Sequence, residues 1–177
     1  PPPPTTPPRS NRRQRQMCIR DSDKAEQAAR TEVANTYIDK LVEQSAQLDQ
    51  LEHAAGNGDS VTPGEGFLTL FADRLEAIGK GNMVLPDAQE TNAGRRNRLC
   101  LEMEVLLELD TPEAHADERR QWQLEHLSDA MTGGLDISPR ERAITLLEEA
   151  CRTGAVPQEM QQALEERLEK IVSALKQ

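Results

Sequence analysis

The sequence predicts an all-α protein, an extended amphipathic, coiled-coil-like helix followed by a compact bundle of about five short helices. Three observations predict it. The aromatics are Tyr37, Trp122, Phe67 and Phe71 in 177 residues, so any core is aliphatic, which suits packed helices better than sheets. Apolar residues recur at gaps of three and four, and no stretch alternates with period two between turn residues. Glycine and proline punctuate the chain into helix-sized lengths.

The first helix is expected over 23–55, where Val33, Tyr37, Leu41, Leu48, Leu51 and Ala55 form a narrow stripe of heptad character. Its other face carries Glu, Gln, Lys and Asp, and Gly56-Asn57-Gly58 ends it. A polar linker, 56–66, leads to the bundle, 67–177. Thr62-Pro63 reads as cap and first helical position of a helix with Phe67, Leu68, Phe71, Leu75 and Ile78 on one face, stopped by Gly79. From about Thr91 to Leu109 the broad stripe Leu99, Cys100, Met103, Leu106, Leu107 and Leu109 marks a central helix. Thr111-Pro112 restarts the chain into a helix that packs Trp122, Leu124, Leu127 and Met131 and ends at Gly133-Gly134. Ser138-Pro139-Arg140-Glu141 has the form of a capping box, opening a helix that buries Ala143, Ile144, Leu147, Ala150 and Cys151. After Val156-Pro157 a last helix carries Met160, Leu164, Leu168, Ile171 and Leu175.

Charge and cysteine usage narrow the function classes. Acids outnumber bases 31 to 21, for a net charge of -10, which disfavours nucleic acid as a partner of the body of the chain. The mean hydropathy of -0.70 and the lack of a long apolar run exclude a membrane-spanning helix. Cys18, Cys100 and Cys151 form no Cys-x-x-Cys pair, against a disulfide scaffold or a zinc cluster, and free thiols without an export signal suggest a reducing cytoplasm.

The first twenty residues differ from the rest, with Arg9, Arg12, Arg13, Arg15 and Arg20 and no acid. A basic, proline-rich arm is ordinarily a disordered nucleic-acid or membrane contact. Here Gln16-Met17-Cys18-Ile19-Arg20-Asp21-Ser22 resembles the in-frame translation of a transposon-end sequencing adapter. On that reading 1–22 is a non-native, disordered segment, set aside from fold reasoning, and the native chain extends upstream of Asp23.

The stretch Arg98 to Leu106, then Asp110-Thr111-Pro112, then Arg119-Arg120-Gln121-Trp122-Gln123-Leu124-Glu125-His126-Leu127 and Met131, with the later Gly154-Ala155-Val156-Pro157, resembles a known pattern. It is similar to the carboxyl-terminal region of bacterial proteins that carry the helical repeat "domain of unknown function 349". The resemblance covers about residues 90 to 175 and implies the helical tail of a longer bacterial protein without an established activity. The tryptophan motif that marks the family's repeat has no counterpart here, and Trp122 lies in the tail region instead.

No catalytic, cofactor or metal constellation stands out. Cys100 and Cys151 fall on apolar faces, where cysteine acts as a small hydrophobe. His53, His115 and His126 are scattered, and His115 with Glu118 makes only two ligands. Gly64-Glu65-Gly66 lacks a preceding strand and a third glycine, so it is no dinucleotide loop. The acids Glu102, Glu104, Glu108 and Asp110, with Glu148, Glu149, Glu165, Glu166 and Glu169, read as solvated helix faces. Arg95, Arg96 and Arg98 form the basic cluster of the body, a phosphate or nucleic-acid contact or, more simply, partners of neighbouring glutamates. Trp122 beside Arg119 and Arg120 reads as a core anchor or an interface hot spot.

The expectation is a non-enzymatic protein-interaction or scaffolding module. Its partner-binding or self-associating residues are Trp122, Arg119 and Arg120, with Leu41 and Leu48 on the amphipathic first helix. The alternative is an accessory module of a nucleic-acid- or ribosome-associated protein.

Overall fold

A computed structural model describes residues 11–126 and 137–177, with side chains from residue 23 onward. Among them are six α-helices and no strand. These are α1 (Asn11–Gly56), α2 (Ala72–Gly79), α3 (Pro86–Leu106), α4 (Ala116–Glu125), α5 (Pro139–Arg152) and α6 (Gln158–Leu175). Short 3-10 turns at Thr69–Phe71 and Glu113–His115 lead into α2 and α4. The fold is all-α, as the aliphatic composition and the spacing require. Leu127, Met131 and Gly133-Gly134, expected to complete the fourth helix, lie outside the described residues.

The chain divides into two units, Pro1–Tyr37 and Ile38–Gln177. In the first, backbone helix begins at Asn11 rather than at residue 23, so 11–22 is helical where a disordered segment was expected. Within it Arg30 pairs with Glu26 at 2.6 Å, and the Thr31 and Thr36 hydroxyls donate one turn back to Gln27 O and Glu32 O. Val33, expected on the apolar stripe, is 70% exposed.

The second unit holds the core, and it starts at Ile38, well before the expected bundle boundary at 67. Ile38, Leu41 and Leu48 of α1 are fully buried with Phe71, Met103, Leu147 and Ile171. Leu41 and Leu48 are therefore core residues of the bundle, not surface positions for a partner. The central helix is α3, which packs against both α5 and α6. It begins at Pro86, whose missing N–H is no loss at the first helical position, earlier than the expected Thr91. Thr62-Pro63 starts no helix; the segment stays irregular until Thr69, and the Gln44 side chain holds it by accepting from Leu68 N at 2.8 Å and donating to Gly66 O at 3.1 Å. The capping box is formed as expected, with Glu141 N donating to Ser138 Oγ at 3.2 Å and Ser138 N to Glu141 Oε2 at 3.1 Å.

Three helices end in the same way. After α1 and α2 the chain reverses through Gly58 (φ 90°) and Gly81 (φ 66°), and the paired bonds Gly58 N to Ala55 O with Asp59 N to Ala54 O, and Gly81 N to Ile78 O with Asn82 N to Ala77 O, close a Schellman motif each time. After α3 the same pair runs from Glu108 N to Val105 O and Leu109 N to Glu104 O, but the left-handed position is Glu108, at φ 56°. A side chain there costs about 1–2 kcal/mol, of which glycine's larger unfolded-state entropy takes back part. Glu108→Gly is therefore expected to stabilise the protein by about 0.5–1 kcal/mol. Urea unfolding checks it: the midpoint rises at unchanged slope, and a falling midpoint would show that the Glu108 side chain contributes more than its backbone strain removes.

Candidate functional site

The most unusual chemistry of this molecule lies at the carboxyl end of α5. A helix end leaves carbonyls without intrahelical partners and carries partial negative charge. Here the chain leaves α5 through Thr153, Gly154 and Ala155, with Thr153, Ala155 and Val156 buried from water. Side chains from three other helices satisfy it. Cys151 O accepts from Arg74 Nη1 at 2.8 Å and from Ser45 Oγ at 3.2 Å. Arg96 Nη2 donates to Thr153 O at 2.6 Å and to Gly154 O at 3.0 Å. Asn92 Nδ2 reaches Ala155 O at 3.0 Å, and Ala155 N donates to Glu52 Oε2. Gly154 leaves room for this convergence, since a Cβ there would stand 3.0 Å from Asn92 Nδ2.

Two guanidiniums brought out of water need counter-charge, and α1 supplies it. Arg96 grips Asp49 with both terminal nitrogens, at 2.6 and 2.9 Å. Arg74 grips Glu52 through Nε and Nη2, each at 2.9 Å, and its Nη2 also donates to Asp49 Oδ1. Bidentate, charge-assisted pairs are the strongest of protein hydrogen bonds. Asp49 is 2% exposed and Arg96 4%. Burial alone pushes the Asp49 carboxyl up, but the hydrogen bond and charge of Arg96 and those of Arg74 outweigh it and hold it below the ordinary carboxylate value. Burial likewise opposes the charge on Arg74, and Glu52 and Asp49 overcome it, so its pKa is raised. A second, smaller network joins α6 to α3: Arg167 clasps Glu104 at 2.7 and 3.0 Å and donates to Asn97 Oδ1 at 2.9 Å.

Each carboxylate oxygen of Asp49 and Glu52 accepts at least one N–H. General acid–base work asks for a carboxylate free to exchange a proton with a substrate; these oxygens are occupied by donors of the chain itself.

The predicted site residues are redistributed by this geometry. Arg96 is sequestered in the network, Arg95 lies on the surface beside Glu149, and Arg98 is exposed, so the basic cluster is not one patch and Arg96 cannot meet a phosphate. Glu104 is buried rather than solvated, whereas Glu108, Glu149, Glu165, Glu166 and Glu169 are exposed as expected. Trp122 is not a core anchor: α4 buries none of its residues, Leu124 is 73% exposed, and Trp122 is half-buried, stacked on His126 with ring centroids 4.2 Å apart. Arg119 fastens the preceding turn, donating to Leu109 O and Thr111 Oγ1 at 2.6 Å each, while Arg120 is exposed and paired with Asp117 at 3.0 Å. His115 Nδ1 lies 3.0 Å from Glu118 Oε2, and among the described residues no three His, Cys, Asp or Glu side chains converge as metal ligands would.

Cys100 and Cys151 are buried and free. Burial pushes their thiols up, to about 11 and about 12. Because the thiolate is the reactive form, both are expected to resist iodoacetamide in the folded protein and to label rapidly in denaturant. Peptide-level mass spectrometry reads each site, and fast native labelling at either would show that its helix opens locally.

One surface feature stands apart from these closed networks. Between the second half of α1 and α6 runs a trough of about 780 Å³. Val42, Ala46 and Val172, all half-buried, provide its accessible apolar surface beside buried Leu168. Glu43, Glu165, Glu166 and Glu169 stand exposed around it, and Lys176 ties α6 to Asp39 of α1 at one point. Its lining runs from Gln162 on α6 to the capping residue Lys176, about 20 Å at 1.5 Å per residue.

No protein-family model, curated protein or solved structure matches the chain.

Proposed function

We propose that this chain is a non-enzymatic, helical protein-interaction or scaffolding module of a bacterial cytoplasmic protein, the tail of a longer chain. The trough between α1 and α6 supports this reading: a long, partly apolar strip lies open on the surface while the buried charges are paired within the fold. Contact surfaces commonly place apolar side chains inside a polar rim, and Val42, Ala46 and Val172 inside a rim of glutamates follow that order. The resemblance of residues 90 to 175 to the tail region of the helical-repeat family supports the tail assignment, and the adapter-like run supports setting 1–22 aside. The nucleic-acid alternative has less support, because Arg96 is buried and Arg95 is paired.

Light scattering across a concentration series, with identification of bacterial proteins retained by the immobilised chain, tests the proposal. Association that Val172→Asp abolishes is the expected result. A strict monomer that retains nothing beyond what the variant retains would overturn it.

A further inference from the structure

We infer that the α1–α6 trough receives a cationic amphipathic helix from a partner protein. The inference rests on the interaction-module reading and specifies its ligand. Shape is the first consideration. The lining residues of α1, Asp39, Val42, Glu43, Ser45, Ala46 and Asp49, recur at steps of three and four along one side of the helix, and those of α6 do the same from Gln162 to Ser173, with Lys176 just past its end. Two such faces bound a groove about 20 Å long, and a third helix lies naturally along it, as in helix-in-groove recognition.

Charge decides the chemistry of that helix. The cations in the lining are already engaged, Arg96 with Asp49 and Lys176 with Asp39. The acids at the rim are not neutralised. Glu165 and Glu166 accept only from the neutral amides of Gln161 and Gln162, Glu43 accepts from Gln47, and none of these three, nor Glu169, has a cationic partner among the described residues. Four carboxylates flanking an apolar floor repel an acidic ligand and favour one with leucine-like residues on one face and lysine or arginine beside them. A second copy of this acidic chain meets the same repulsion, and a small polyamine satisfies the rim but leaves most of the apolar length uncovered.

Fluorescence anisotropy with the full chain tests this at physiological ionic strength. The probe is a labelled Leu/Lys peptide of about 14 residues with leucines at i, i+3 and i+4 spacing, compared with a scrambled peptide of the same composition and with spermine as competitor. The amphipathic peptide is expected to bind at least about tenfold more tightly than the scrambled one. Joint replacement Glu165→Gln, Glu166→Gln and Glu169→Gln, all at exposed positions, is expected to weaken it about tenfold, and Val172→Asp to abolish it. Equal binding of both peptides, insensitivity to the triple replacement, or full displacement by spermine at equal charge concentration would overturn the inference.

Light scattering separates this failure from that of the wider reading. A dimer dispersed by Val172→Asp leaves the interaction module standing and makes a second copy the occupant. Absence of both peptide binding and any association removes the two together.

Discussion

Asp49→Ala is expected to destabilise the Ile38–Gln177 unit by about 3–5 kcal/mol, a large share of the about 5–15 kcal/mol that holds an ordinary domain folded. Asp49 accepts from both Arg74 and Arg96, and all three are buried. Without it, Arg96 keeps only the Thr153 and Gly154 carbonyls, and a desolvated guanidinium faces the negative end of α5 with no counter-ion. Much of the effect is the penalty for that stranded charge rather than the net worth of the pair, so replacing Asp49, Arg74 and Arg96 together by apolar residues is expected to do less harm than the single change. Glu26→Ala, which breaks the exposed pair with Arg30, is expected to move stability by no more than about 0.5 kcal/mol. Urea titration of the three variants against the parent chain orders them. An Asp49→Ala midpoint close to the parent's would mean that water reaches the network and screens it.

The same carboxylate sets an acid limit. Because its folded-state pKa lies below the unfolded value, Asp49 contributes stability at all pH values above the ordinary carboxylate range, and loses it as pH falls through the folded pKa. Thermal unfolding followed downward from neutral pH is expected to show a steeper acid decline for the parent than for a variant in which the whole network is apolar. Parallel declines would assign the acid sensitivity to other groups.

These networks were only partly legible in the sequence, for a physical reason. The apolar periodicities of α5 and α6 are dense, and Ser138, Pro139 and Glu141 mark a start by local chemistry alone, so those helices follow from nearest-neighbour rules. Reading Glu104 as part of a solvated face failed because it is buried, and Arg96, read as a phosphate contact or a partner of glutamates, is paired with buried Asp49. Arg74 sits between Phe71 and Ile78, Arg96 between Ala93 and Leu99, and Arg167 between Leu164 and Ile171, each inside an apolar stripe at helical spacing. That placement was the available signal. Its complement, Ser45, Asp49 and Glu52 at steps of four and three on α1, has the same periodicity but looks like an ordinary polar face until the arginines are placed opposite it. Which acid meets which base depends on packing between helices distant in sequence, and hydropathy is silent on that. The trough was foreshadowed more loosely: the amphipathic first helix suggests a surface for partners through Leu41 and Leu48, but these two went to the core, and the open strip is Val42, Ala46 and Val172 beside them.

A chain that begins at residue 67, the boundary suggested by the polar linker, is expected not to fold, whereas one that begins at Thr31 is expected to unfold cooperatively with close to the parent's midpoint. Removal of α1 takes away Ile38, Leu41 and Leu48, each fully buried and each contributing about 1.5–3 kcal/mol by area alone. It also takes both carboxylates from Arg74 and Arg96, and two uncompensated guanidiniums add several kcal/mol more. Together these losses exceed the whole stability of a typical domain of this size. The described side chains before Thr31 are exposed, and Arg30 pairs there only with Glu26 one turn away, so removal of this segment is expected to be nearly neutral. Far-ultraviolet circular dichroism through a urea titration distinguishes the two truncations. Adding a peptide that spans Thr31 to Asp59 to the shorter chain is expected to restore the cooperative transition, since it returns the apolar stripe and the acids on one helix, and the same peptide with Asp49→Ala and Glu52→Ala is expected to fail. If the residue-67 chain instead unfolds cooperatively with the parent's slope, the two arginines have found other partners, and α1 is an addition to a bundle that stands without it.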